Sequence, residues 1–383
     1  MTTPAPTQHD AIQSWINNSQ FAEAEHALRQ LLSSGSGPIL LWKQLALVLK
    51  KQGKHQDACN IQSMLVDRIP GDLSTRYDLA ESLLLLGQFT RGWKEYRYRY
   101  SLPHTRMIER KLQKPRWNGK PIPGKTLLIF DEQGFGDSFQ FIRLVEQAKK
   151  RSQARIILEV NHESLSLYQR CIEVDQIIPR GTLIPTFDQH CELMTLPDIL
   201  GLQPEHLPLT TRYLTADTDK VAFWKEKLAH IPAPRIALVW AGRPEHLNDQ
   251  NRSTSLSQLA PLAMPGVQFL ALQKGAAALQ ANSPPSGMTL HTLSDDIHSF
   301  EDTAAILTLA DLLISVDSSP VHLAGALGCP AWVMLPFIPE WRWQIDRSDT
   351  PWYPDVQLFR QTSAGDWGSV TSLMASELRK RFT

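Results

Sequence analysis

The run Leu312-Leu313-Ile314-Ser315-Val316-Asp317-Ser318-Ser319-Pro320-Val321-His322-Leu323-Ala324-Gly325-Ala326-Leu327-Gly328 decides the fold. Leu312–Val316 has the length and near-continuous apolar character of a strand buried on both faces. The polar turn Asp317-Ser318-Ser319 ends it, and Val321–Leu327 follows as a helix. Ser319 is the expected N-cap, with Pro320 at the first helical position. Such a helix start offers free N–H groups and the positive end of a dipole to an anion. A diphosphate is the natural occupant, with the hydroxyls of Ser318 and Ser319 adding bonds. A carboxylate at Asp317 repels phosphate, so it holds sugar hydroxyls or the loop itself. His322 lies about one turn inside the helix, either as a structural residue or facing the ligand.

The same grammar extends on both sides. Upstream, Ile236–Trp240 and Val267–Leu272 read as strands, and Thr303–Leu309 as a helix. Downstream, Ala331–Leu335 is a strand and Trp367–Phe382 a helix. An earlier unit opens with strand Leu127–Phe130, a glycine-containing turn and helix Phe139–Lys150. Strand Ile156–Val160 and helix Leu165–Cys171 follow, and helix Asp217–Leu228 closes the unit. Strands alternating with helices predict two parallel-sheet, Rossmann-like domains, over residues 125–230 and 231–383.

Residues 1–103 read differently. Apolar residues recur at helical spacing in Ala22–Leu32, Leu41–Leu49 and Leu79–Leu86. Leu45-Ala46 and Leu79-Ala80 are 34 apart, as are Gly53 and Gly87, and Ala24 and Ala58. This period predicts about two and a half repeated helix pairs. Their groove either holds a peptide or packs on the next domain. Residues 104–124 form a connector marked by Pro115, Pro121, Pro123, Gly119 and Gly124.

Composition narrows the function classes. The 383 residues are 42% hydrophobic and 20% charged, with Lys+Arg and Asp+Glu both at 39. That balance predicts no nucleic-acid or anionic-membrane partner. No stretch approaches the roughly 20 apolar residues of a membrane span. The polar start Met1–Asp10 does not read as a secretory signal, so a cytoplasmic location is expected. The four cysteines, Cys59, Cys171, Cys191 and Cys329, form no CxxC pair and are expected to be free thiols. No metal motif is present.

Three further places have residue types suited to chemistry. Asp131-Glu132-Gln133-Gly134-Phe135-Gly136-Asp137 follows a strand and opens a helix. Gly134 and Gly136 let backbone approach a ligand, and Asp137 is either a general base or a helix N-cap. The third glycine of a dinucleotide fingerprint and the Lys of a P-loop are both missing. The loop after Trp240 reaches Arg252, which either neutralises a phosphate or is a solvated loop cation. Finally, Trp341, Trp343, Trp352 and Tyr353 fall within thirteen residues, together with Arg342 and Arg347. The rings either stack on a ligand or plug a loop, and the arginines are phosphate candidates.

Val316–Pro330 resembles the signature D-[ST]-x-x-x-H-L-A-x-A-L-x-x-P of the heptosyltransferase family, glycosyltransferase family 9. Gly134-Phe135-Gly136-Asp137 is similar to its N-terminal G-D loop. Trp240–Ser253 and Pro339–Pro354 are close to runs found in bacterial proteins that fuse tetratricopeptide repeats to such a domain. The resemblance covers nearly everything after Pro123. It implies a GT-B fold and inverting transfer from a nucleotide-sugar, with no metal or other cofactor required. It assigns the catalytic base to Asp137 and donor contacts to Asp317, Ser318 and Ser319. Arg252 stands where the family usually has Lys. The short first α/β domain and the repeats point to a protein acceptor, such as flagellin or another surface protein.

Two other readings compete. One is a non-catalytic adaptor or chaperone with a degenerate GT-B domain. The other is a nucleotide-sugar epimerase, which leaves the repeats unexplained.

Overall fold

The computed structural model describes residues 8–106, 109–207 and 212–382. Most of the Met1–Asp10 stretch lies outside the described residues. The chain divides into two compact units, one of residues 1–109 with Glu340–Ile345, the other of 110–339 with 346–383.

The first unit is helical. Its hairpins pair Gln8–Asn17 with Phe21–Leu31, Ile39–Lys51 with His55–Arg68, and Leu73–Leu85 with Phe89–Tyr96. The turn inside each hairpin repeats every 34 residues. Ser19, Gly53 and Gly87 all adopt left-handed backbone, at φ 59°, 77° and 76°. After each, the next N–H donates back to a carbonyl five residues earlier: Gln20 to Trp15 (2.8 Å), Lys54 to Leu49 (2.9 Å) and Gln88 to Leu83 (2.8 Å). This is the helix-terminating geometry that favours glycine. The sequence marks only two of the three turns with Gly; the first copy, at Ser19, escaped the reading. Ala24 and Ala58 are fully buried where the paired helices meet. Gly92 takes the third such place because a Cβ there would lie 2.7 Å from Leu84.

Glu340–Ile345 belongs to this unit. Trp341 meets Trp93 edge-on at 5.3 Å and Tyr96 at 5.9 Å.

The second unit holds two parallel sheets. The first contains β1 (Thr126–Phe130), β2 (Arg155–Val160), β3 (Gln176–Pro179) and β4 (Gln189–Glu192), in the order β3-β2-β1-β4. The second contains β5 (Arg235–Val239), β6 (Gln268–Ala271), β7 (Thr289–Thr292), β8 (Leu312–Val316), β9 (Ala331–Leu335) and β10 (Val356–Arg360). Its order is β10-β9-β8-β5-β6-β7. Helices followed by two Rossmann-like parallel sheets are the expected GT-B architecture.

β8 and β9 are buried at every position, as strands covered on both faces must be. Helix Trp367–Phe382 places Trp367, Val370, Met374 and Leu378 in the core of the second sheet. The expected helix Phe139–Lys150 is two helices, Phe135–Phe141 and Leu144–Ser152. The connector also packs. Trp117 is buried, Leu112 lies on the core of the first sheet, and Arg110 and Arg116 pair with Glu159 (2.6 Å) and Glu192 (2.8 Å). All four cysteines are free thiols.

Candidate active site

Both sheets share one topological rule. Counted within its own sheet, each runs 3-2-1-4, and the second continues 5-6. The direction of winding reverses between β1 and β4, and between β5 and β8. In open parallel sheets the crevice for ligands opens at that reversal, beyond the carboxyl ends of the strands. The loops after β1, β5 and β8 start there, and they carry the candidate residues.

The loop after β5 is held by side chains. Gln273 Oε1 accepts the N–H groups of Trp240 (3.0 Å) and Ala241 (2.9 Å). The Gly242 N–H donates to Ser253 Oγ (2.8 Å), which donates to Asp249 Oδ1 (2.9 Å). Arg252 bonds the same Asp249 oxygen through Nε (3.3 Å) and the Asp317 carbonyl through Nη1 (3.1 Å). Its side chain is only 13% exposed, so it is a fixed cation between the loops after β5 and β8, and not a solvated one. Gly242 makes room for it: a Cβ there would lie 2.5 Å from Arg252 Nη2 and 2.7 Å from Asp249 Oδ1.

At the turn after β8 the N-cap is Ser318, one residue before the expected Ser319. The helix runs Ser319–Leu327, with Pro320 in its first turn. Proline tolerates the shift because first-turn N–H groups have no helical partner to lose. The Ser318 hydroxyl makes no cap bond to the helix. It turns back to Ser315 Oγ (3.2 Å) and the Val316 carbonyl (3.3 Å).

His322 is buried, with Nδ1 3.0 Å from Tyr353 Oη and Nε2 3.9 Å from Asp317 Oδ1. The Tyr353 ring packs against Gly325, where any Cβ would overlap it. On its other side, His322 faces the first lobe: a Cβ on Gly136 would lie 2.7 Å from His322 Cδ2. The loop after β1 and the helix after β8 therefore meet at the Gly136 backbone and the His322 ring.

Asp137 is at the third position of helix Phe135–Phe141, not at its N-cap. Its Oδ2 accepts the Gly134 N–H at 2.9 Å, and Gly134 is the N-cap residue. Asp137 also acts electrostatically across the cleft on His246. Burial, then the Arg252 guanidinium, lower the His246 pKa, while Asp317, Asp249 and Asp137 oppose the shift.

Gly134, Gly136, Asp137, Arg252, Asp317, Ser318, Ser319 and His322 thus gather around one crevice. Arg342 belongs to the other compact unit. It lies in the helical unit, over the Trp341 ring at 4.2 Å and paired with Glu340. That carboxylate takes the charge the sequence reading offered to a phosphate. Trp341, Trp343, Trp352 and Tyr353 are all buried, which favours the plug reading for the rings. The sequence reading offered Tyr353 among the aromatic candidates and the loop after Trp240 as a whole, but it gave no role to His246, Asp249 or Gly242. His246 and Asp249 lie inside the Trp240–Ser253 run, but an isolated polar loop gives no periodic signal to single them out. Among the described residues, no group of three or more His, Cys, Asp or Glu is placed to hold a metal ion, and no helix is long and apolar enough to cross a membrane.

No family model matches the chain. Protein FlbA of Caulobacter vibrioides is 26% identical over 340 residues, spanning 81% of this chain. The match takes in only 56% of FlbA, so the chain spans little more than half of that relative's length. Among solved structures, the chain is similar to a glycosyl transferase family 9 protein from Veillonella parvula. That match has 11% identity and a TM-score of 0.47, covering 69% of this chain and 97% of the other. It is also similar to ADP-heptose LPS heptosyltransferase II of E. coli, at 13% identity and TM-score 0.45, covering 67% and 100%.

Proposed function

We propose that the protein is a glycosyltransferase that moves a sugar from a nucleotide-sugar to an acceptor, with the acceptor a protein engaged by the helical repeats. One observation carries this reading. The helix start bearing Asp137 and the helix start at Ser318–Ser319 close on each other through Gly136 and His322, with Arg252 anchored beside them.

In this reading the donor diphosphate docks at the Ser319–Leu327 helix start. Its first-turn amides are not capped by the Ser318 side chain, and Arg252 offsets the charge of the departing nucleoside diphosphate. Asp317 accepts hydrogen bonds from sugar hydroxyls. Asp137 takes the proton of the acceptor hydroxyl as that oxygen attacks the anomeric carbon and the sugar–phosphate bond breaks. A single displacement of this kind inverts the anomeric centre. Leaving-group stabilisation by Arg252 and helix amides calls for no metal ion, so turnover is expected to survive chelation. The reaction is placed in the cytoplasm, where nucleotide-sugars are available.

The test is to incubate the purified protein with a panel of nucleotide-sugars and follow donor consumption by mass spectrometry, with and without cell-surface proteins. Acceptor-dependent consumption of one donor supports the reading. Nucleoside diphosphates that neither raise the thermal midpoint nor bind calorimetrically would sink it in favour of a non-catalytic adaptor.

A further inference from the structure

Behind His322 lies a partly buried hydrogen-bonded chain whose protons can be counted. Tyr213 Oη is 2.8 Å from the carbonyl oxygen of Phe139. A carbonyl only accepts, so the single Tyr213 proton is committed to that bond. Burial, the first cause, pushes the Tyr213 pKa up to about 12, against bonds from Tyr353 and Arg143 to its oxygen. Tyr213 is therefore a phenol that receives hydrogen bonds from those two residues. The Arg143 guanidinium also sits over the Tyr213 ring at 4.6 Å. The Tyr353 proton is in turn committed to Tyr213. What remains to Tyr353 toward His322 Nδ1, at 3.0 Å, is an oxygen lone pair, so Nδ1 must carry the hydrogen.

We propose that Arg143, Tyr213 and Tyr353 are positioning residues that hold the His322 proton on Nδ1, leaving Nε2 as the atom through which the ring gains and loses a proton at the cleft. The Cδ2–Nε2 edge faces the Gly136 backbone, and Nε2 lies 3.9 Å from Asp317 Oδ1. A neutral ring of this tautomer accepts a hydrogen bond from a hydroxyl; a protonated one becomes a cation beside Asp317. The charged and titratable groups at the ring include Tyr353 and Asp317, with Asp137 on the facing helix one residue beyond Gly136. Arg252 and His246 stand beyond Asp317, and Arg143 beyond the two tyrosines. The use of Nε2 in catalysis rests on the transferase reading above, but its proton state does not.

Nitrogen-15 NMR of the full chain, labelled at histidine and assigned through His322→Gln, reads both ring nitrogens without any donor present. The expected result is an Nδ1 that stays protonated through the titration while Nε2 alone titrates. Tyr353→Phe removes the accepting oxygen, and Tyr213→Phe breaks the commitment one step back. Either is expected to shift the neutral ring toward the Nε2–H tautomer. A wild-type ring that is neutral with its proton on Nε2 overturns the proposal, as does an unchanged tautomer in both variants. If neither variant folds, the wild-type titration decides alone. Once a donor is known, Tyr353→Phe should lower kcat by about tenfold or more and leave donor KM within about twofold. Absent nucleotide binding would end the transferase reading while leaving the NMR result to stand by itself.

Discussion

Two helices begin at the crevice, and their ends are finished in opposite ways. The helix after β1 carries a carboxylate at its start, with Asp137 Oδ2 on the N–H of the N-cap residue Gly134. The helix after β8 is left open by its N-cap, since the Ser318 hydroxyl bonds back to β8 and its end. A third helix, the one that follows Ser299, shows full closure: Ser299 and Asp302 form a reciprocal capping box. A carboxylate at a helix start repels the charge an anion would bring, so the end that holds Asp137 suits an acid–base group, and the end whose N-cap side chain makes no bond to the helix suits a phosphate. In the proposed reaction the two lobes divide the chemistry between a carboxylate side and an anion-accepting side.

The sharpest way to break this contrast is Asp137→Asn. The amide oxygen can still accept the Gly134 N–H, so the turn persists while the proton acceptor is lost. Turnover is expected to fall about 10²- to 10⁴-fold in steady-state assays with nucleoside diphosphate affinity unchanged. An Asn variant with full turnover would make Asp137 a cap and nothing more. Arg252→Ala removes the cation beside the open end. It should weaken diphosphate binding about 10- to 100-fold by calorimetry, the range expected for charged hydrogen bonds. Equal binding would detach the loop after β5 from the anion side.

The fully capped helix supplies the reference. Burial would raise the Asp302 pKa, but bonds from Lys220, Trp224, the His298 N–H and Ser299 bring it down from 3.8 to about 2. A carboxyl depressed on folding stabilises the fold above its ordinary pKa and loses that contribution as pH falls through the folded value. Chemical denaturation should therefore show Asp302→Asn less stable than wild type at pH 7, by on the order of 2 kcal/mol. The gap should close between about pH 4 and pH 2. A gap independent of pH would mean that shape, not charge, closes this end. The smallest effect is expected from Ser318→Ala. Its hydroxyl does not cap the helix, so folding stability should change by well under the ~1 kcal/mol typical of a lost N-cap. A larger loss in a denaturation series would show that the open end depends on that side chain after all.

Where the sequence was legible, the reason is physical. Leu312–Val316 and Ala331–Leu335 are strands buried on both faces, so their apolar runs end where the strands end. β4 gave no such signal, because Gln189-His190-Cys191-Glu192 buries polar groups that reach a distant partner, Arg116, only in the folded chain. β3, β7 and β10 also went unread, being short or only partly buried. The first helical repeat was hidden because Ser19 takes a left-handed turn that glycine usually marks. In the crevice, Asp137, Arg252 and the Asp317–His322 turn were visible from strand–turn–helix grammar and resemblance. Tyr353 was visible only as one ring of an aromatic cluster, since its contact with His322 joins residues 31 positions apart.

The placement of Glu340–Ile345 has a practical consequence. The helical unit is assembled from a long opening piece and a short piece contributed more than two hundred residues later. Expressing residues 1–109 alone would strip Trp341 from the faces of Trp93 and Tyr96 and leave those rings to water or to another molecule. Stickiness in such a fragment would report a missing plug rather than a binding partner. Dissection of the repeats is cleaner if the Glu340–Ile345 peptide is supplied in trans.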